Sequence, residues 1–258
     1  MKILTNLNAW QAWRNSISLE HSVGLVPTMG ALHAGHRSLI SRCRRENDRC
    51  VVSLFVNPTQ FNDQSDLENY PSTFDADRKL CEAEGVDAIF FPQYDDLYPD
   101  HYRYRVSEDD VSRLLCGAHR PGHFDGVLSV VMKLLNLARP QRAYFGEKDW
   151  QQLQLVKGMV DAFFMPVTIV GCPTVRETDQ LALSSRNLRL SQDHRKKAAG
   201  FPRLLATPAP AEDVARLLEA DGFEVDYVQD FNGRRCAAIH CGGVRLIDNR
   251  PLSVGDGR

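Results

Sequence analysis

Residues 23–36 read VGLVPTMGALHAGH, and this stretch decides the fold class. Val23–Val26 is a continuous apolar run, which is typical of a strand covered on both faces of a sheet. Pro27 closes the run, and Gly30 permits a tight turn next to the strand end. A helix is predicted from His36 to Asn47. A strand, a glycine turn and a helix in this order predict a ligand-binding edge of a parallel sheet.

The same alternation continues over the first two thirds of the chain. Further strands are predicted at 51–56, 87–91, 142–145 and 167–170. Helical patterns between them are predicted at 73–85, where Ser72 and Thr73 can cap the helix, and at 124–137 and 150–164. Apolar strands separated by helices predict an α/β fold with a doubly wound, Rossmann-like parallel sheet. Its ligand is expected at the carboxyl ends of the strands.

The pattern changes after Pro173. Residues 176–189 are polar and loop-like, and the proline- and alanine-rich residues 201–211 are predicted to be irregular. A helix at 212–220 and strands at 224–228, 236–240 and 244–247 follow, the last two forming a hairpin around two glycines. We therefore predict a Rossmann-like domain at 1–173 and a smaller α+β domain at 174–258 that closes over the site.

The composition excludes several classes of protein. The 258 residues are 43% hydrophobic and 25% charged with a net charge of −2, so a nucleic-acid binder is not predicted. Seven scattered cysteines without a CxxC pair favour a reducing, cytoplasmic compartment over a disulfide framework. The N-terminus lacks a signal-peptide pattern, and no run is long enough to cross a membrane.

The first loop, PTMGALHAGH at 27–36, combines features of an anion site. A helix N-terminus favours anions, and Gly35 lets backbone approach a ligand there. His33 and His36 lie one turn apart, so both can donate to phosphate oxygens, with a charge that responds near neutral pH. The alternative is a capped turn with two surface histidines. His36 stands where a Walker A loop needs lysine, which excludes a P-loop NTPase.

The loop FGEKDWQQLQ at 145–154 follows the fourth predicted strand. Gly146 frees the turn, Asp149 can cap the next helix, and Lys148 can place a point charge on phosphate. Gln151 and Gln152 lie in the first helical turn, where at least one can face the cleft. The alternative is a solvated helix start.

Two further loops carry neutral or cationic donors. Gln60, in FVNPTQFN, offers a donor and an acceptor suited to a substrate hydroxyl, although such a residue also suits a plain turn. In LALSSRN, Ser184, Ser185 and Arg186 can clamp phosphate or form an N-cap, and no GxSxG elbow supports a serine nucleophile. In HRPGH at 119–123, proline and glycine break the helix that would align two histidines on zinc, so no metal site is predicted.

Five segments together resemble the pantoate–β-alanine ligase (pantothenate synthetase) family, whose HxGH motif is shared with a wider nucleotidylyltransferase group. They are PTMGALHAGH, SLFVNPTQFN, LCGAHRPGHFDGV, FGEKDWQQLQ and LALSSRN, in the expected order over residues 27–187. The tail RLIDN resembles the family's terminal strand more weakly. The resemblance implies a cytoplasmic, homodimeric ligase of pantothenate and coenzyme A biosynthesis. It would convert ATP, (R)-pantoate and β-alanine to pantothenate through pantoyl adenylate, releasing AMP and pyrophosphate, with Mg²⁺ bound largely through the ATP phosphates and no metal ligand from the protein.

The resemblance also implies roles for individual residues. Catalytic roles fall to His36 as proton donor, and to His33, Lys148 and Arg186. Gln60 would contact both pantoate and β-alanine, and Gln152 would bind pantoate. The ATP-binding positions are Met29, Gly30, Ala31, Leu32, His33, Ala34, Gly35, His36, Gly146, Glu147, Lys148, Asp149, Val175, Leu183, Ser184, Ser185 and Arg186.

The residues agree with this chemistry, because attack on the α-phosphorus builds negative charge that histidines, lysine, arginine and hydroxyls can stabilise. The sequence departs from the family pattern at Gln180, where glycine is expected, and at Ser72, where a basic residue is expected. The segment 200–213 is also shorter and more irregular than the family's helical segment. Two alternatives stay open: a nucleotidylyltransferase that moves AMP onto a phosphate ester without amide formation, and a nucleotide-binding sensor.

Overall fold

The strand predicted at Val23–Val26 lies near the centre of a six-stranded parallel sheet. The computed structural model describes residues 1–252, and residues 253–258 of the predicted second domain lie outside the described residues. The strands are β1 Lys2–Leu4, β2 Val23–Thr28, β3 Arg49–Leu54, β4 Ala88–Phe90, β5 Arg142–Gly146 and β6 Thr168–Cys172. Their order in space is β1-β4-β3-β2-β5-β6. The predicted α/β, doubly wound fold is confirmed.

Helices cover both faces of this sheet. They are α1 Leu7–Asn15, α2 Ala34–Glu46, α3 Gln64–Glu68, α4 Phe74–Ala83, α5 Tyr94–Leu97, α6 Leu115–His119, α7 His123–Ala138 and α8 Trp150–Ala162. Successive strand residues enter opposite apolar clusters: Leu25 and Val51 pack on one side, and Val26 and Val52 on the other. Burial on both faces explains why the strands are apolar throughout.

The C-terminal part contains helices α9 Gln192–Ala198, α10 Gly200–Leu205 and α11 Ala211–Ala220 and strands β7 Glu224–Phe231, β8 Arg234–Cys241 and β9 Val244–Pro251. The strands form an antiparallel sheet in sequence order, as the predicted hairpin requires. One face packs on α9–α11, whereas Tyr227, Cys236 and Ala238 join the apolar cluster of the large sheet. Because the two sheets share that cluster, the division at residues 173 and 174 stays a prediction.

Several elements were not predicted, among them β1, α1, α3, α5, α6 and α9. Two boundaries or segments were wrong: β2 continues through Pro27 to Thr28, and the segment from residue 201 is partly helical. Strand β1 was not predicted, because three residues at a sheet edge are too few to show a period; it pairs with β4, Lys2 opposite Ala88. The irregular segment predicted from residue 201 begins with the helix α10, in which Phe201, Leu204 and Leu205 are buried. Pro202 lies in the first turn of that helix, where a missing backbone N–H costs no hydrogen bond.

Candidate active site

A cavity of about 240 Å³ lies at the carboxyl ends of β2 and β5. The chain leaves β2 towards β3 and β4 on one side, and returns to β5 and β6 on the other, so the cavity occupies the topological switch point. The predicted site residues that line it are Met29, His33, Gly35, His36, Gln60, Gly146, Lys148, Asp149, Gln152, Val175, Leu183, Ser184, Ser185 and Arg186. Segments far apart in sequence therefore converge on one cavity.

The turn after β2 is held by a residue that the sequence analysis missed. Gly30 adopts a φ of 86°, as the tight turn requires, and Ala31 a φ of 51°. The buried Asp77 carboxylate accepts hydrogen bonds from the backbone N–H groups of Ala31 (2.9 Å) and Leu32 (2.8 Å). Thr73 is the N-cap residue just before α4, but its hydroxyl donates to the Asp77 carboxylate and makes no capping hydrogen bond. The only signal in the sequence was an acidic residue on a predicted helix, which is too common to single out.

The two histidines of the motif have defined tautomers in their neutral forms. Nδ1 of His33 accepts from the Gly35 N–H at 3.1 Å, so His33 caps α2. Nδ1 of His36 accepts from the His33 N–H at 3.4 Å. Because each Nδ1 is an acceptor, the proton of each neutral ring lies on Nε2, which is left to donate to a ligand.

Gly35 is needed for a reason that was not predicted. A Cβ atom at this position would lie 2.8 Å from Cε1 of His33. The glycine therefore makes room for the His33 ring over the start of the helix. Gly35 also lines the cavity. That a ligand approaches its backbone stays a prediction.

Both histidines are neutral near pH 7, which corrects the prediction that their charge responds there. Burial, followed by the positive charge of Lys148, lowers the pKa of His33 to about 4. Burial, followed by His33 and Lys148, lowers the pKa of His36 to about 3. In the free protein these rings therefore act as neutral donors through Nε2.

We expect the protein to lose stability as the pH falls below about 6.5, the ordinary histidine value. The folded pKa values of His33 and His36 lie below it, so the unfolded chain binds protons first and folding weakens towards pH 4. Thermal denaturation between pH 7.5 and pH 4.5 measures this slope. His36→Ala should flatten it, whereas His21→Ala, on the exposed surface, should not. Equal slopes in all three proteins would contradict the assignment.

Gln60 lies in a turn that other polar groups hold in place. Nδ2 of the buried Asn57 donates to Oε1 of Gln60 at 3.0 Å, which leaves the Gln60 NH₂ group without a partner among the described residues. His123 Nδ1 and Arg120 Nη2 lie 2.7 and 3.1 Å from the Gln60 backbone carbonyl. The side-chain amide of Gln60 is thus positioned on the cavity wall with its donors free.

The motif HRPGH, at 119–123, contains the two residues that contact the Gln60 carbonyl. The Arg120 guanidinium can only donate, so Nε2 of His123, 3.1 Å away, is the acceptor, and Nδ1 carries the proton that is donated to Gln60. Burial, followed by the charge of Arg120, lowers the pKa of His123 to about 3. Both ring nitrogens of His123 are therefore engaged. Arg120 and His123 also line the cavity, and the sequence analysis did not place them in the site.

Only some residues of the segment 147–152, which follows β5, line the cavity. Lys148 has a side chain only 17% exposed, with Nζ 3.7 Å from the Asp149 carboxylate. Asp149 precedes α8 but makes no capping hydrogen bond, contrary to prediction. The Gln151 amide is used by the 111–116 segment, whereas the Gln152 amide has no hydrogen-bond partner among the described residues and faces the cavity.

The segment LALSSRN contributes both a cap and a cation. The Ser184 hydroxyl accepts from the Arg186 N–H at 3.3 Å, so the N-cap alternative is correct for this serine. Nη2 of Arg186 donates to the Asp66 carboxylate at 2.8 Å, and Arg189 pairs with the same carboxylate. Arg186 therefore already has an anionic partner in this structure.

Five of the predicted ATP-binding residues do not line the cavity among the described residues. Gly30, Ala31 and Leu32 shape the turn, and Ala34 is exposed at the start of α2. The Glu147 carboxylate accepts from Arg234 at 3.1 Å. The roles of these five residues in ATP binding stay predictions.

Gln180 adopts a φ of 71°, which explains why the family pattern has glycine there. A side chain in the left-handed region costs about 1 kcal/mol, so we expect Gln180→Gly to raise the melting temperature by about 2 °C. Gln229→Gly, at an exposed strand position of β7, should lower it instead. Calorimetry of both variants checks this, and a lower melting temperature in Gln180→Gly would contradict it.

A second cavity of about 370 Å³ adjoins the first and extends between the large sheet and β7–β9. The two cavities share Arg120, His123, Lys148, Asp149, Gln152, Ser184 and Arg186 as a common wall. Among the described residues, no helix is both long and apolar enough to cross a membrane.

Comparison with known proteins gives one consistent result. A family model described as Pantoate-beta-alanine ligase matches residues 2–251. The Pantothenate synthetase of Bdellovibrio bacteriovorus is 58% identical over 248 residues, which are 96% of this chain and 98% of the relative. That of Legionella pneumophila strain Lens is 51% identical over 96% of this chain and 99% of the relative.

Solved structures agree. A Pantoate-beta-alanine Ligase from Francisella tularensis, complexed with Beta-gamma ATP and Beta-alanine, has a TM-score of 0.94 at 39% identity. The match covers 100% of this chain and 100% of that chain. The Pantothenate Synthetase from Thermus thermophilus has a TM-score of 0.90 at 40% identity, over 97% of this chain and 99% of that chain.

Proposed function

Because the chain belongs to the pantoate–β-alanine ligase family and is an enzyme that joins pantoate to β-alanine, we propose that it uses ATP and a pantoyl-adenylate intermediate. The observation that carries this mechanism is the convergence of two imidazole Nε2 donors, an ammonium group, the free NH₂ group of Gln60 and the Gln152 amide on one cavity. The Beta-gamma ATP bound in the similar Francisella tularensis structure supports ATP as the substrate.

In the first step, a carboxylate oxygen of pantoate attacks the α-phosphorus of ATP. The bond to the bridging oxygen breaks, and pyrophosphate leaves with the electron pair. His33, His36 and Lys148 stabilise the negative charge that builds on the phosphate. We propose that ATP arrives as its Mg²⁺ complex, with the ion held by phosphates.

Gln60 and Gln152 orient pantoate through its hydroxyls and carboxylate, which is a proximity effect. In the second step the neutral β-alanine amine attacks the acyl carbon of pantoyl adenylate. The bond between that carbon and the AMP oxygen breaks, AMP leaves with the electron pair, and the proton lost by the nitrogen passes to solvent. Arg186 exchanges Asp66 for a phosphate oxygen when ATP binds. We propose that residues 174–258 close over the site, since Leu183–Arg186 already line the cavity.

Three further expectations stand as proposals: a cytoplasmic location, a homodimer, and the individual site residues. The seven cysteines are all unpaired, which supports a reducing compartment.

One experiment tests the mechanism. The protein is incubated with ATP, Mg²⁺ and pantoate, with and without β-alanine, and AMP and pyrophosphate are followed. Pyrophosphate should appear with pantoate alone, and free AMP should rise on adding β-alanine. AMP that does not respond to β-alanine would exclude the adenylate route. A stable dinucleotide product would favour the nucleotidylyltransferase, and ATP binding without pyrophosphate release would favour the sensor.

A further inference from the structure

The last strand of the chain holds the loop that carries Lys148. Nδ2 of Asn249, on β9, donates to the backbone carbonyls of Glu147 and Lys148, both at 2.9 Å. Asn249 is 1% exposed, so no water competes for these bonds. A single NH₂ group therefore holds two consecutive carbonyls of a loop that belongs to the other sheet.

The backbone of Asn249 is itself held by two hydrogen bonds. Its N–H donates to Oδ1 of Asp248 at 2.7 Å, and its carbonyl accepts from Nη2 of Arg176 at 3.2 Å. The Arg176 guanidinium forms a two-pronged ion pair with the buried Asp248 carboxylate, at 2.7 and 2.8 Å. Such forked pairs fix geometry as well as charge. Arg176 follows Val175, which lines the cavity, so three segments of the site meet at this network.

Neighbouring contacts keep Glu147 out of the cavity. Arg234 on β8 pairs with the Glu147 carboxylate, and its guanidinium lies over the Trp150 ring, 4.8 Å from the centroid. Of the three residues in the turn 147–149, only Lys148 and Asp149 line the cavity.

The position of the Lys148 backbone determines where its charge acts. The ammonium sits on a flexible four-carbon stem, so only the backbone gives it a fixed origin. Its charge reaches both histidine rings of the motif, His33 and His36. A displaced loop would move this charge away from the phosphates that the histidines contact, which lowers the rate because catalysis depends on preorganised groups.

We propose that Asn249 is a positioning residue for the ligation reaction, acting through the backbone of Lys148. The proposal rests on the proposed function, because it assigns Lys148 to the phosphates. It connects the C-terminal sheet to the chemistry of the large sheet through two hydrogen bonds.

A double-mutant cycle tests it, with Asn249→Ala, Lys148→Met and the combined variant. The measurements are kcat, KM for ATP and KM for pantoate, together with ATP affinity by calorimetry. Asn249→Ala should lower kcat/KM for ATP about 10-fold, but less than about 2-fold further in the Lys148→Met background, because the residue acts through Lys148. An equal loss in both backgrounds, or no loss in either, would overturn the proposal.

The matched control is Asn47→Ala. Asn47 is a buried asparagine whose Nδ2 also makes two hydrogen bonds, to the Cys43 carbonyl and the Tyr144 hydroxyl, away from the loop. Its effect on kcat/KM should be the same with and without Lys148. If Asn249→Ala does not fold, Asn249→Asp, which keeps the shape but not the donors, takes its place in the cycle. Wild-type protein without β-alanine-dependent AMP release would instead refute the proposed function.

Discussion

Replacing His36 with alanine lowers kcat for pantothenate formation roughly 10³-fold and leaves the fold intact. In the proposed mechanism its Nε2 donates to the phosphates, since Nδ1 is used by the His33 N–H. A donor aimed at developing charge contributes more to the transition state than to ATP binding, so KM for ATP should change much less than kcat.

Steady-state assays of AMP release, with circular dichroism for the fold, measure this effect. His21→Ala is the control, because His21 is exposed and does not line the cavity. A His36→Ala enzyme within about threefold of the wild type would remove this ring from the mechanism. A loss confined to KM for ATP would assign it to binding alone.

Replacing Asp77 with asparagine lowers both activity and stability. The carboxylate accepts two backbone N–H groups in the turn 30–33, and the amide of asparagine must turn a donor towards one of them. Hydrogen bonds to a buried charged group contribute about 1.5–3 kcal/mol, so we expect a loss of about 2 kcal/mol in the free energy of unfolding. The released turn also moves His33, and kcat/KM for ATP should fall on the order of 10²-fold.

Chemical denaturation and steady-state kinetics at low temperature separate the two effects. Asp75→Asn is the matched control, since Asp75 is an exposed carboxylate in the first turn of the same helix, α4. If Asp77→Asn loses stability but keeps its kcat/KM when fully folded, the residue supports the fold and not the site.

The sequence was sufficient for the large sheet and for most of the lining of the cavity. Runs such as Val23–Val26 are apolar because both faces of their sheet are covered, and a motif at a strand end must lie at the binding edge. Gln60, Lys148 and Gln152 all line one cavity, and their roles stay predictions. Strand β1 was missed because it is short, and α10 was missed because a proline obscured its helical pattern.

The supporting residues could not be predicted. Asp77, His123 and Asn249 lie on other elements and make hydrogen bonds to backbone groups of the loops that form the site. Every residue has these backbone groups, so such hydrogen bonds leave no pattern in the sequence. The predicted protonation behaviour of His33 and His36 was also wrong, since the pKa of a histidine depends on burial and on neighbours that only folding brings near.

The sequence by itself determined the alternation of five strands of the large sheet with helices, the edge of that sheet at which the cavity lies, and the family. These follow from local patterns of apolar and polar residues. Only the tertiary structure decided that Asp66 already holds Arg186, that the motif histidines are neutral, and that the last strand supports Lys148. The reason is physical: hydrogen bonds and desolvation act over a few ångströms in space, whereas the residues involved are separated by tens to more than one hundred positions in the chain.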